Sequence, residues 1–162
     1  MRSPTALFVG AWRLVSWERT SASGEVSYLY GRAPEGQLIY TANGRMSAQL
    51  MNPEAPPPDV AGSSQGEATA DVAGSSPNEA TAEVAKKFFA YWGTYSVDES
   101  AARVTHHVLG GLARRWVGRD QVRRYEFLSD DRLRLTADLE NDDVAERAGF
   151  AGAQALVWER IP

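Results

Sequence analysis

The sequence predicts an all-β fold: an eight-stranded antiparallel up-and-down β-barrel with one helix in the long loop between strands three and four. Three observations predict it. First, eight stretches combine alternating apolar and polar residues with β-branched and aromatic content and flanking turn residues. They span roughly 11–19, 37–42, 45–51, 91–97, 103–109, 120–128, 132–138 and 155–161. Second, no strand–helix unit repeats, which argues against a parallel sheet. Third, the connections alternate in length. The second, fourth and sixth (roughly 43–44, 98–102 and 129–131) are short, whereas the first, third, fifth and seventh (roughly 20–36, 52–90, 110–119 and 139–154) are long. In an up-and-down barrel alternate connections share one end, so the long set forms a mouth. Closure removes the exposed edges of the sheet. A barrel of this size is filled by side chains or holds one small ligand.

Taken in order, Gly10-Ala11-Trp12 opens the first strand, and Arg13-Leu14-Val15-Ser16-Trp17 continues it. Its partner lies at the far end of the chain, in Leu156-Val157-Trp158-Glu159-Arg160. An arginine ending the last strand can lie over the Trp12 indole, a cation–π contact of about 0.5–2 kcal/mol. That pair closes the barrel and plugs the short-loop end. Asn43-Gly44 is a two-residue hairpin signal, because both positions tolerate positive φ. Asp98-Glu99-Ser100 and Ser129-Asp130-Asp131 are further tight turns.

The third connection carries a tandem duplication. Asp59-Val60-Ala61-Gly62-Ser63-Ser64 recurs as Asp71-Val72-Ala73-Gly74-Ser75-Ser76. Ser76-Pro77-Asn78-Glu79 then supplies an N-cap, a proline at the first helical position and an early acid. A helix over roughly 77–90 follows, with Ala82, Ala85, Phe88 and Phe89 on or near one face. Two readings stand: a lid over the mouth, or a packing helix after a loop that tolerates insertion.

The 162 residues make one domain, 1–162, large enough to bury a core, with 52–90 as an inserted loop plus helix. A net charge of -4 argues against a general nucleic-acid binder. With no cysteine, there is neither a disulfide frame nor a thiolate nucleophile. The apolar run at the N-terminus is too short for a secretory signal, and no segment is long and apolar enough to span a membrane as a helix. The expectation is a cytoplasmic protein with no nucleic-acid or membrane partner. Trp17, read as exposed, suggests a homodimer face.

The chain resembles the lipocalin-like proteins of the calycin group. The resemblance is carried by Gly10, Trp12 and Arg160, and by Leu38-Ile39-Tyr40-Thr41 and Asn43-Gly44-Arg45-Met46-Ser47-Ala48-Gln49-Leu50. Further on it is carried by Tyr91-Trp92-Gly93-Thr94-Tyr95, His106-His107-Val108, Trp116-Val117-Gly118 and Gln121-Val122-Arg123-Arg124-Tyr125. It covers nearly all of the chain outside about 52–90. The resemblance implies a barrel that binds or transforms a small molecule, and similar barrels serve as cyclases and isomerases in microbial natural-product pathways.

Alternation along the strands selects the lumenal residues. If Trp12 points inward, so do Leu14 and Ser16. On the sixth strand Gln121, Arg123, Tyr125 and Phe127 share the inner face. Leu133 and Leu135 follow on the seventh, and Leu156, Trp158 and Arg160 on the eighth. Of the adjacent pair His106 and His107 only one faces the lumen; Val104 and Val108 on its face select His106. His106 is a general acid or base near neutral pH, or a hydrogen-bonded structural histidine. Arg123 binds a carboxylate, enolate or carbonyl of a guest, or pairs with Glu18 or another acid. Ser16, Tyr40, Tyr95, Gln121, Tyr125 and Trp158 are further ligand-contact candidates. Tyr28, Tyr30, Tyr91, Trp92 and Trp116 are candidates at the mouth.

No metal-ligand spacing, phosphate loop or nucleophile elbow is present. The acids Asp138, Glu140, Asp142 and Asp143 read as solvated loop charge. The leading reading is a cofactor-free cyclase or isomerase acting on a small, largely apolar, polyketide-like molecule. His106 and Arg123 supply the chemistry, with no metal and no cofactor. Its barrel holds the substrate near its reactive conformer. The alternatives are a binding or carrier protein with the same cavity, and a haem-binding barrel using one histidine.

Overall fold

The computed structural model describes residues 3–55, 82–138 and 152–162. The duplicated segment, residues 77–81 of the expected helix and the acids Glu140, Asp142 and Asp143 lie outside these residues.

The strands are β1 (Gly10–Thr20), β2 (Val26–Tyr28), β3 (Glu35–Tyr40), β4 (Arg45–Met51), β5 (Phe88–Asp98), β6 (Arg103–Gly111), β7 (Asp120–Ser129), β8 (Arg132–Asp138) and β9 (Ala153–Arg160). Every pairing is antiparallel, and β1 also pairs with β9, which closes eight of the strands into a barrel. The additional short strand β2 lies along the far half of β1, with Glu18 opposite Tyr28. It occupies what the sequence reads as loop, because its three residues are too few to show alternation.

At the short-loop end Trp12 stands opposite Arg160, and the guanidinium carbon lies 4.2 Å from the indole centroid. Gly10 explains the start of this motif. Its φ is +143°, and a Cβ there would meet Arg160 Nη1 at 2.7 Å. Arg160 donates to the Leu7 and Val9 carbonyls at 2.7 and 3.0 Å. Those carbonyls end a short helix, α1 (Pro4–Phe8), capped by the Ser3 hydroxyl with Pro4 in its first turn. Phe8 is fully buried, and its ring lies 5.0–5.1 Å from those of Tyr40, Tyr125 and Phe127. The stopper is therefore the expected pair plus an aromatic plug.

Three register shifts break strict alternation, one of them beside the β7–β8 turn between Phe127 and Ser129. Between Leu14 and Ser16 the register of β1 against β9 slips by one residue. Ser16 then stands opposite Val157, itself opposite Arg134 of the outer face, so Ser16 is turned out of the lumen. Trp17 turns inward instead: it is 5% exposed and donates to Gln154 Oε1 at 2.7 Å. The expectations of a lumenal Ser16 and an exposed Trp17 are both corrected, and the homodimer reading loses its basis. The second bulge, between Trp92 and Gly93, places Leu109 as the extra residue of β6.

The expected helix is also revised at its end. Residues 82–85 are helical, 86–87 form a turn, and Phe88 already begins β5. Phe89 and Tyr91 then alternate inward along the strand, a period-2 pattern that overrides the helical one.

Candidate functional site

The barrel interior is lined by Trp12, Leu14, Leu38, Tyr40, Met46, Ala48, Leu50, Tyr91, Val104, Val108, Leu133, Leu135 and Trp158, all buried. Into this apolar setting β6 and β7 bring the polar pair His106 (1% exposed) and Arg123 (8% exposed). His106 stands opposite Gln121, and Val104 opposite Arg123, so the strand register fixes both on neighbouring inner positions.

His106 is held between two tyrosines. Tyr40 Oη lies 2.7 Å from its Nε2, and Tyr91 Oη lies 2.8 Å from its Nδ1. Burial pushes the His106 pKa well below the usual histidine range, and the charges of Arg123 and His107 push in the same direction. The ring is therefore neutral at physiological pH. Burial likewise raises the Tyr40 and Tyr91 hydroxyls, while Arg123 acts against the rise in each, at Tyr91 through its charge and a hydrogen bond. All three groups stay protonated and uncharged.

A proton count follows from these states. Two phenols and one neutral imidazole carry three protons, and the two hydrogen bonds between them use two. One tyrosine O–H is left over, with no acceptor among the described residues. With Tyr91 donating to Nδ1, His106 donates from Nε2 to Tyr40 and the spare proton sits on Tyr40; in the other tautomer the roles reverse and it sits on Tyr91.

Arg123 donates to the Val122 carbonyl at 3.0 Å and lies 5.8 Å from the Trp116 ring. No carboxylate pairs with it among the described residues, so the expected alternative partner, Glu18, is not engaged there. Trp158 Nε1 is a further buried donor without an acceptor among those residues. The interior thus holds a buried cation and two unused hydrogen-bond donors, a set that suits a guest oxygen.

The other sequence-selected residues separate. Tyr95 and Tyr125 sit at the closed end with Phe8; the Tyr95 hydroxyl donates to the Thr41 carbonyl at 3.1 Å. Gln121 is half-buried beside His106. Trp92 faces outward and is 54% exposed, with its indole over Gly110, which corrects its expected place at the mouth. At the mouth itself, Trp116 packs on Phe89 and Tyr91 at ring distances of 5.1 and 5.5 Å. Tyr30 stacks edge-on with Trp17 at 4.8 Å and donates to the Ala85 carbonyl. Tyr28 is exposed beneath Arg32. Sequence reasoning placed Tyr91 only at the mouth; alternation with Phe89 was the signal that puts it beside His106.

Among the described residues no group of three acidic, histidine or cysteine side chains could hold a metal ion. No helix among the described residues is long and apolar enough to cross a membrane.

No curated protein matches the chain. Among solved structures it is similar to a redesigned β-barrel, at a TM-score of 0.45 and 9% identity, over 100% of this chain and 98% of that one. The model of the lipocalin-like domain matches residues 9–161, from the residue before Gly10 to the one after Arg160. The chain therefore belongs to the lipocalin-like domain family.

Proposed function

We propose that the barrel binds a small, largely apolar molecule carrying a carbonyl or enolate oxygen, and that it transforms this guest without a cofactor, as a cyclase or isomerase. The carrying observation is Arg123: a buried guanidinium without a carboxylate partner among the described residues, beside a tyrosine–histidine–tyrosine chain with one proton to spare. Arg123 and the spare hydroxyl favour a guest oxygen as it gains charge, an arrangement that acts most strongly where water is excluded. A neutral His106 whose two nitrogens are engaged is a weak base. Its role is to align the tyrosines and pass a proton between them, while Tyr40 is the group that exchanges a proton with the guest. A polyketide-like ketone fits this description. The Tyr30–Ala85 contact supports the reading of the described end of the 52–90 connection, residues 82–87, as part of a lid.

The test is α-deuteration of 2-tetralone, an apolar fused-ring ketone, in D2O, followed by NMR. Exchange above the buffer rate that falls at least tenfold in Arg123→Met and Tyr40→Phe supports proton-transfer catalysis. Saturable binding of the ketone without exchange supports the carrier reading instead. Absence of binding excludes both.

A further inference from the structure

The histidine that faces outward has company of its own. On the outer surface of β5–β7, His107 Nδ1 lies 2.6 Å from Asp120 Oδ1, and its Nε2 lies 3.0 Å from Ser96 Oγ. An ionised carboxylate only accepts, so the imidazole proton sits on Nδ1. Nε2 then accepts from the Ser96 hydroxyl. The three groups come from three adjacent strands. The pairing of His107 with Asp120 across β6–β7 and with Thr94 across β5–β6 holds them on one face. We propose that Ser96, His107 and Asp120 form a second site, a nucleophile–base–orienting-acid relay on the outside of the barrel.

Its surroundings select an acyl group. Trp92, Leu109 and Val122 flank the relay on the same face and are about half exposed. They offer a surface for an aliphatic or aryl chain. Thr105 stands opposite Ser96 on that face, so its hydroxyl is within reach of a bound carbonyl oxygen. The backbone amides of β5 and β6 are committed to the sheet ladder, which leaves no pair of free N–H groups for an oxyanion among the described residues. General-base activation contributes about 10²–10⁴-fold, and the missing oxyanion donors remove about 10²–10³-fold each. That balance restricts the site to esters with good leaving groups and excludes amides.

The step balances without a co-reactant other than water. Ser96 Oγ attacks the ester carbonyl and its proton passes to His107 Nε2. The carbonyl–oxygen bond of the leaving alcohol breaks, and the alcohol takes that proton. Water then adds to the acyl carbon with His107 again as base, which releases the acid and restores Ser96.

The full-length chain is incubated with p-nitrophenyl butyrate and, separately, with a fluorophosphonate probe followed by peptide mapping. Expected are one phosphonate on Ser96 and a hydrolysis rate that falls at least tenfold in Ser96→Ala and in His107→Ala, with less loss in Asp120→Asn. The serine lies on the surface, so Ser96→Ala keeps the fold, and an unchanged melting temperature checks this. Hydrolysis by Ser96→Ala at the wild-type rate, or a probe absent from Ser96, overturns the proposal.

Discussion

His106 is neutral because its surroundings forbid the charged form, and this makes a pH prediction with a definite sign. The unfolded chain takes up the His106 proton near the ordinary value of 6.5, while the folded chain resists until far lower pH. Below pH 6.5 the unfolded state therefore binds more protons, and the folded state loses up to about 1.4 kcal/mol per pH unit from this group. This contribution is fully present above that pH and is eroded as pH falls. Chemical denaturation between pH 7.5 and 5 is expected to show the slope in the wild type and a shallower one in His106→Gln. Tyr91→Phe removes one partner of the ring and leaves Nδ1 buried and unsatisfied, a cost of about 1–3 kcal/mol readable by the same measurement. The choice between His106 and His107 was legible in the sequence, since one-residue alternation and flanking valines decide it. The two tyrosines on one imidazole were not, because Tyr40 and Tyr91 meet it only through the register of separate strands.

At the scale of elements, the bulges decide which side chains face in. The sequence pattern of β1 reads as unbroken alternation through Trp17, and one extra residue reverses its second half. Nothing in single-residue preferences marks Val15 as that residue. The bulge in β6 has a clearer chemical trace. A Cβ on Gly93 would collide with the His107 carbonyl, so only glycine fits opposite the extra residue Leu109. Gly93→Ala is expected to cost about 3 kcal/mol, at the upper end for overpacking, as a lowered urea midpoint. Helix α1 shows the converse: its Ser3 cap and Pro4 are standard helix-start signals. Five residues are too short for a periodicity reading, however, and the segment matters through Phe8 and through the Leu7 and Val9 carbonyls that hold Arg160. Phe8→Ala empties the closed end among three rings and is expected to cost about 3–5 kcal/mol, seen in thermal melts.

For the whole molecule, loop lengths and the Trp12–Arg160 pair made the barrel readable before any coordinates. Alternate connections must share an end, and an aromatic–cation pair at the two termini of the sheet must close it. The same geometry puts the buried donors between a stoppered base and the opposite end, where Tyr30, Ala85 and Trp116 are buried. What a barrel of this family holds depends on where few polar groups point, and that follows from side-chain contacts that no sequence pattern encodes. The proposed guest lies inside, with its oxygen on Arg123. Crystals soaked in 8-anilinonaphthalene-1-sulfonate, an apolar dye with an anionic oxygen group, test this directly. The expected density lies between the strands, with a sulfonate oxygen about 2.7–3.2 Å from the Arg123 guanidinium. Dye bound only on the outer surface, with Arg123 untouched, contradicts it.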